Sequence, residues 1–550
     1  MMQNADIDLV REILADHAAM KRARRSFEAQ WDDVIDTVLP RYRKFSQHSN
    51  ANPGEKRTQH IFDATPGLAL RHFAAAMDSM ITPRTQKWHK LTVQNEELQE
   101  TPAVRQYLER VTNMLFSVRY QWRANFASQA GESYIGHGSF GAAGLMIDDV
   151  LGQGIRYRNI RLNRLWFAED AFGVVDKAHI LWSLTARQAA QRWGQAALPE
   201  PIRRALDNND QERSFDFLHA IRPRLSRDAS KVDAQNMPIQ SVWLSMDTGH
   251  DIIEHSGYRV FPVAIGRFYA ADDSAYGYSP AMEALPDVRM LNQMERTNIK
   301  GAQKAVDPPL ILADDGALES FDLRAGALNF GFLNERGEQL VRPLDMGKNV
   351  PLGINYADQK RESVNLAFYV TLFQILVDNH QMTATEVLQR AQEKGILLGP
   401  TMGRVQSEQL GALISREIDI LQHAGALPPM PPELEDAGGA ISIEYDSPLN
   451  QAMRAEEGAS VLRWAEAAAP FIQADPAAAR VMNAPAIVRG LGEVFSVRQK
   501  YINTEEAVEE MDAAEAEQQQ SEQLLAAAPV AAGAAKDLAM AQAAAGSARI

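Results

Sequence analysis

Apolar residues recur every three to four positions along most of the first 130 residues, which is the spacing of one face of an α-helix. Four segments show this spacing: 7–25, 27–39, 68–80 and 101–126. A stretch rich in Ser, Asn, Gly and Lys separates the second segment from the third. The beginning of the chain is therefore predicted to be mainly helical.

The pattern changes between residues 144 and 268, where shorter apolar runs alternate with turn residues. Runs such as LMI, ILWSL and SVWLSM have the length and composition of β-strands. We expect an α+β section there, with a small twisted sheet.

Two long helical patterns enclose a glycine-containing segment with brief apolar runs. The first covers 280–305 and would be about 37 Å long at ~1.5 Å per residue, and the second covers about 355–377. A chain that leaves along one helix and returns along the other predicts an antiparallel pair, with a small β-rich excursion at its far end.

The segment 381–432 contains helix-ending signals and no reactive side chains. Thr383 and Glu386 have the spacing of a capping box at the start of a helix. A second helix is predicted to begin near Thr401 and to end at Gly425, which precedes two Pro-Pro pairs. Its charged residues fall mostly between its apolar ones. This segment is predicted to be architectural.

Five blocks follow one another along the chain: 31–40 (WDDVIDTVLP), 62–91, 276–310, 381–432 and 443–454 (IEYDSPLNQAMR). In order and spacing they resemble the portal proteins of short-tailed bacteriophages, a family also called head-to-tail connecting proteins. Each block is a short pattern of common residues, and it is their serial agreement that makes the resemblance specific.

The resemblance implies an α+β, mainly helical subunit of several parts that assembles into a cyclic ring. In chain order the implied parts are a wing (1–278), stem helix 1 (279–306), a β-rich clip (307–353), stem helix 2 (354–377), a channel loop (378–384), wing or crown helices (385–437), a crown (438–503), and an Ala-, Glu- and Gln-rich helical barrel or disordered tail (504–550).

By the same resemblance, a ring of twelve copies lies at one capsid vertex and forms the channel through which double-stranded DNA is packaged and ejected. It implies docking of the terminase large subunit and of a tail adaptor or head-completion protein. Contacts with the major capsid and scaffold proteins are also implied, and internal ejection proteins are a further candidate. The protein would belong to the virion, be assembled in the host cytoplasm, and have no membrane partner.

Four cations of the first long helix are separated by seven, four and four residues, which places them on one helix face. They are Arg289, Arg296, Lys300 and Lys304. This basic stripe could contact DNA phosphates in a channel, acidic residues of the next subunit, or only water, and the sequence leaves the three alternatives open.

A second candidate site follows from the resemblance, which places the channel loop between the second long helix and the capping box. Its residues are Asp378, Asn379, His380, Gln381 and Met382. Their polarity also fits an ordinary exposed connection between two helices.

The amino-acid composition limits the kinds of reactive site and binding surface that the chain can have. A chain of 550 residues is too long for one compact core, and the absence of cysteine excludes disulfides and thiolate nucleophiles. A net charge of −15 argues against a broadly basic nucleic-acid surface. It suits a conduit that does not grip DNA, and equally a protein that acidity merely keeps soluble.

The enzymatic alternative is a Mg²⁺-dependent nuclease, which would need converging carboxylates. The adjacent pairs Asp148-Asp149 and Asp272-Asp273 are predicted to be turn residues instead. The glycines of 136–141 match GxGxxG but lack a preceding strand, so we expect a tight turn there. No GxxxxGK[ST] or HExxH motif occurs. We expect no enzyme, metal or cofactor, and a non-portal structural or scaffold protein is the remaining alternative.

Overall fold

The computed structural model forms two compact units, residues 1–453 and 454–550. It describes residues 4–46, 54, 56–150, 152–228, 230–231, 233–272, 274–312, 328, 333, 336–343, 350–371, 399, 401–446, 460–471, 481–485, 487–488, 490, 508, 511 and 513–514. In the second unit, residues 460–471 are helical. All elements named below belong to the first unit.

The helices described in the first unit confirm the mainly helical beginning of the chain. They are α1 (Asn4–Thr37), α2 (Thr65–Ile81), α3 (Glu96–Glu100), α4 (Pro102–Arg119), α5 (Phe126–Phe140), α6 (Ala186–Trp193), α7 (Glu200–Asp207), α8 (Pro280–Val306), α9 (Val350–Ala367), α10 (Gly411–His423) and α11 (Pro432–Asp436).

α1 is one continuous helix that joins the first two segments of helical spacing, 7–25 and 27–39. Its buried residues recur at helical spacing from Ile13 through Phe27 to Val34, with no interruption at Ser26. Serine does not by itself end a helix, and the continuous buried face stabilises the helix across that position.

The described strands pair antiparallel, and they form more extensive sheets than the single small sheet that we expected. They are β1 (His89–Thr92), β2 (Ala142–Val150), β3 (Gly154–Ile160), β4 (Leu165–Glu169), β5 (Val175–Thr185), β6 (Ser214–Pro223), β7 (Ile239–Ser245), β8 (Ile252–Tyr258), β9 (Val263–Arg267), β10 (Tyr269–Ala271), β11 (Ser274–Tyr278), β12 (Leu310–Leu312), β13 (Val341–Pro343) and β14 (Ser442–Tyr445).

Two of the sheets organise the core. Five strands pair in the order β4-β5-β6-β7-β8, and three in the order β3-β2-β9. The register of the larger sheet places His179 beside Ala220, and Ala220 beside Val242. This face packs against the first half of α1 through Ile13. The described residues also form three two-stranded pairs: β1-β14, β10-β11 and β12-β13.

The glycines of 136–141 do not form the tight turn that we expected. Gly136 and Gly138 lie inside α5, and Gly141 caps the end of that helix with a φ of 76°. A Cβ at Gly138 would collide with Leu70 and Phe73 of α2. Close packing of two helices therefore accounts for Gly138, and a left-handed helix end for Gly141.

The second helix of the 381–432 segment is confirmed in an altered form. A π-helical turn at Val405–Leu410 precedes α10, which ends before Gly425 with its φ of 63°. Both elements pack against β9. Thr383 and Glu386, the predicted capping box, lie outside the described residues.

Candidate nucleic-acid interface

The helix that carries the basic stripe begins at a well-defined cap. The hydroxyl of Ser279 accepts a hydrogen bond from the backbone N–H of Met282 at 3.1 Å and donates one to the carbonyl oxygen of Ser139 at 2.9 Å. Pro280 occupies the first helical turn, where its missing N–H costs nothing. The first half of α8 is held in the core by Val288 and Leu291, which are buried.

α8 and α9 run antiparallel, as the two long helical patterns predicted. A Cβ at Gly353 would collide with Asn298, and the ammonium of Lys360 donates to Asp287 Oδ1 at 2.8 Å. As α9 advances from Gly353 to Lys360, its contacts on α8 thus move back from Asn298 to Asp287. The far end of the pair is therefore the end of α8 and the beginning of α9.

A short ribbon continues the pair beyond these helix ends. β12 follows α8 and β13 precedes α9, and they pair antiparallel with Leu310 beside Pro343 and Leu312 beside Val341. The chain therefore leaves the helix pair along β12 and returns to it along the adjacent β13.

One arginine joins α9 to both α8 and the segment before α2. The guanidinium of Arg361 donates to Asp63 at 2.9 Å, to Glu295 at 2.6 Å and to Asp358 at 2.6 Å. Burial by itself would raise the pKa of Asp63, but hydrogen bonds from Thr65 and Arg361 lower it below its usual value. Arg361 was not among the residues predicted from the sequence, because only Asp358 among its partners lies at helical spacing from it.

The basic stripe divides into two halves. Arg289 forms an ion pair with Asp33 of α1, and the guanidinium of Arg296 lies 5.8 Å from the centroid of the Phe62 ring. These two cations are engaged within their own subunit. Shared helical spacing placed the four residues on one face but could not reveal which of them have partners elsewhere in the chain.

The second half of the stripe is available to other molecules. Lys300 and Lys304 are exposed and have no hydrogen-bond or ion-pair partner in the described part of the chain. Apolar side chains are exposed beside them, among them Val306 on α8 and Leu352 on α9. A surface that combines free cations with exposed apolar groups is typical of a contact site.

The remaining candidates bring no further chemistry to this region. Asp378, Asn379, His380, Gln381 and Met382 lie outside the described residues. Asp148 and Asp149 lie in β2 instead of the turn we expected, so adjacent residues of a strand point their carboxylates to opposite faces. Burial raises the pKa of Asp148.

The described residues contain no group of three or more His, Asp or Glu side chains placed to hold a metal ion. Among the helices they include, none combines the length and apolarity needed to cross a bilayer.

Comparison with known proteins gives consistent matches over most of the chain. The sequence model of the family described as "Bacteriophage head to tail connecting protein" matches residues 10–502. The chain is 30% identical to the "Probable portal protein" of Bordetella phage BPP-1 over 459 residues, 82% of this chain and 81% of that one. It is 26% identical to the "Portal protein" of Salmonella phage epsilon15 over 535 residues, 96% of this chain and 94% of that one.

Among solved structures, a chain from the virion of a native gene transfer agent particle is similar to this one. The two align with a TM-score of 0.35 and 12% identity, over 79% of this chain and 95% of that chain.

Proposed function

Because the chain belongs to the bacteriophage head to tail connecting proteins, the portal family, we propose that copies of it form a closed ring around a channel for double-stranded DNA. The ring lies at one capsid vertex, where it admits the genome during packaging and releases it during ejection. The protein is a structural component of the virion. The observation that carries the proposal is the family match over residues 10–502.

The antiparallel pair of α8 and α9 supplies the stem in this proposal. The stem was predicted at 279–306 and 354–377, with the clip at 307–353 between them, whereas α9 itself runs from Val350 to Ala367. The ion pairs of Arg361 and Lys360 support this assignment, because they fix α9 against α8 and so make the pair a stiff unit. The β12-β13 ribbon is the base of the clip.

Within the stem, Lys300 and Lys304 are the residues that we propose meet DNA. Their ammonium groups are exposed and unpaired in the described structure, whereas Arg289 pairs with Asp33 and Arg296 lies over the Phe62 ring of the same subunit. Two free lysines per subunit attract phosphates weakly and without sequence preference. Weak contact suits a channel through which DNA must slide.

The docking partners follow from the same proposal. The clip, at the far end of the stem, takes the terminase large subunit during packaging and the tail adaptor or head-completion protein afterwards. The wing contacts the major capsid and scaffold proteins. Twelve copies give the ring its closed cyclic symmetry, since head-to-tail interfaces that close on rotation generate rings.

Negative-stain electron microscopy of the purified full-length protein tests the proposal. We expect closed rings with a central hole, and class averages give their copy number. A protein that stays monomeric at micromolar concentration in the presence of its capsid protein, or one that cleaves DNA when Mg²⁺ is added, would overturn it.

A further inference from the structure

Two aromatic side chains lie almost entirely in water at loops of the first unit. Phe172, in the turn between β4 and β5, is 91% exposed, and Trp122, in the loop between α4 and α5, is 84% exposed. No other Phe, Tyr or Trp side chain of the described residues is as exposed. Aromatic rings bury a large apolar area when they are covered and are enriched at protein–protein contacts, so both rings are candidate contact residues.

The Phe172 turn, residues 170–174, is fixed to the core. The carboxylate of Asp170 accepts hydrogen bonds from the backbone N–H groups of Phe172 at 2.8 Å and of Val174 at 3.0 Å. The guanidinium of Arg267, a residue of β9 that is 8% exposed, donates to the carbonyl oxygen of Gly173 at 3.0 Å. A partner therefore meets this turn already in one backbone conformation, and little conformational entropy is lost on binding.

The Trp122 loop, residues 120–125, is held in a similar way. The backbone N–H of Ala124 donates to the carbonyl oxygen of Gln121 at 3.1 Å, and the N–H of Tyr157, in β3, donates to the carbonyl oxygen of Ala124 at 3.0 Å. The guanidinium of Arg123 lies 5.0 Å from the centroid of the Trp122 ring. The loop thus presents an aromatic ring and a cation side by side.

The two loops are attached to opposite edges of one sheet. β3 and β9 are the outer strands of the three-stranded sheet, on either side of β2. Tyr157 of β3 holds the Trp122 loop, and Arg267 of β9 holds the Phe172 turn. A closed ring of identical copies needs a contact between two different surfaces of the chain. Surfaces on opposite edges of a sheet meet this requirement.

The two loops also differ in charge. Asp170 and Asp176 lie on either side of the exposed phenylalanine in the sequence, and neither carboxylate forms an ion pair within the described structure. Lys177, the cation next to Asp176, pairs with Asp16 at 3.5 Å. Arg123, in the other loop, is exposed and likewise has no ion pair among the described residues. An acidic aromatic turn and a basic aromatic loop are complementary surfaces.

Resting on the ring proposed above, we infer that the Phe172 turn of one copy packs against the Trp122 loop of the next copy. The two aromatic rings meet at the centre of the contact, stacked or edge to face, and the carboxylates and the guanidinium lie at its rim. The partner is a second copy of this chain, because each chain carries both halves of the contact on opposite edges of the same sheet.

Cross-linking tests the contact, because the chain contains no cysteine of its own. In full-length protein that carries Phe172→Cys and Trp122→Cys together, a short bismaleimide should join successive copies and give a ladder of covalent oligomers on a denaturing gel. An equal mixture of the two single variants should stop at dimers, since each copy then carries half of the pair. Phe172→Cys with Leu225→Cys is the matched control. Leu225 is 97% exposed, and this pair should give no ladder.

The outcomes separate this contact from the ring itself. Closed rings on electron micrographs without a ladder would overturn the contact and leave the proposed ring intact, whereas the absence of both would overturn the two together. An equal ladder from the Leu225→Cys control would show random collision and sink the inference. Cross-linked dimers of Phe172→Cys alone would do the same, because the turn would then meet its own counterpart in a symmetric contact.

Phe172→Ala measures how much the contact contributes to assembly. Because the side chain is exposed, the free energy of unfolding should not change. The protein concentration at which half of the copies are assembled, measured by analytical ultracentrifugation, should rise about tenfold or more. If the variant assembles like the wild type but enters particles poorly, the turn contacts another virion protein and the inference is wrong.

Charge reversal tests the rim of the contact. Arg123→Glu should raise the concentration for half assembly about three- to fivefold, and adding Asp176→Lys should reverse most of that change. Two reversals whose effects simply add would contradict a direct contact between these charges.

Discussion

Arginine–carboxylate ion pairs join helices in two regions of this molecule, and the two regions differ in how far water reaches the charges. At the junction of α4 and α10, Arg119 is 0% and Glu417 1% exposed, and their side chains form hydrogen bonds of 2.9 and 2.5 Å. Arg361, between α9 and α8, contacts its carboxylates while still a third exposed. An arginine–carboxylate ion pair is therefore enclosed in the core in the first region, whereas in the second it joins two helices and remains partly exposed to water.

The surroundings explain the difference. Tyr157 donates its hydroxyl hydrogen to Glu417, His89 contacts Arg119 at 3.0 Å, and the Trp88 ring lies 4.6 Å from the guanidinium. No water reaches a charge enclosed in this way, so each partner depends on the other. Arg361 is still reached by water, which can replace a lost partner, so each of its ion pairs should contribute less to stability than the enclosed one.

Breaking the sealed pair should give the largest effect. Glu417→Ala leaves Arg119 buried and uncompensated, so we expect the free energy of unfolding to fall by about 3–5 kcal/mol. Urea denaturation of the wild type and the variant measures the loss.

The control replaces both partners, as Arg119→Met with Glu417→Leu, and adds Tyr157→Phe to remove the hydroxyl that Glu417 would leave unpaired. It should recover part of that loss, because well-packed apolar groups can substitute for a buried ion pair. If Glu417→Ala were as stable as the wild type, the enclosed ion pair would be no more important for stability than the solvated one.

The second largest effect on stability should come from acid, through two buried histidines. His179 on β5 and His17 on α1 face each other with ring centroids 5.5 Å apart. Burial is the main cause that lowers the pKa of each to about 3 from 6.5. Arg222 and Lys177 add to this at His179, and Lys21 and Arg24 at His17.

The unfolded chain therefore binds protons on these imidazoles below pH 6.5 while the folded chain does not. Stability is present above pH 6.5 and is lost as the pH falls towards 3, by about 1.4 kcal/mol per unit for each histidine. Chemical denaturation between pH 8 and pH 5 measures the slope. In His179→Leu the free energy of unfolding should depend less steeply on pH. The variant and the wild type should have the same slope only near pH 8. Equal slopes down to pH 5 would refute the account.

Local signals in the sequence predicted the elements of both regions but not their contacts. The spacing of apolar residues located α8, α9 and α10, and the four cations of the stripe do share one face of α8. Glu417 nevertheless lies among charged residues that fall between the apolar ones, a position typical of a solvated face. It is buried because of Arg119, which is 298 residues away, and no local pattern carries that information.

The same limit applies to the exposed region. Asp33 and Phe62, which engage Arg289 and Arg296, come from distant segments, so spacing alone could not divide the stripe into an occupied and a free half. The capping of α8 by Ser279 was a local feature and could have been predicted from the Ser-Pro pair before the helix.

The smallest effect on stability, and the sharpest test of the exposed region, comes from its free lysines. Lys300→Gln with Lys304→Gln removes no contact within the described structure, so the free energy of unfolding should change by less than about 0.5 kcal/mol. DNA packaged per particle should nevertheless fall, as measured by complementing a phage that lacks its own functional copy.

Arg289→Gln is the control: it loses only the pair with Asp33, worth about 0–1 kcal/mol, and should leave packaging intact. If the lysine variant stops forming rings, the stripe contacts the next subunit instead of DNA. If rings and packaging are both normal, the two lysines are merely solvated, and the contact with DNA must lie elsewhere along the channel.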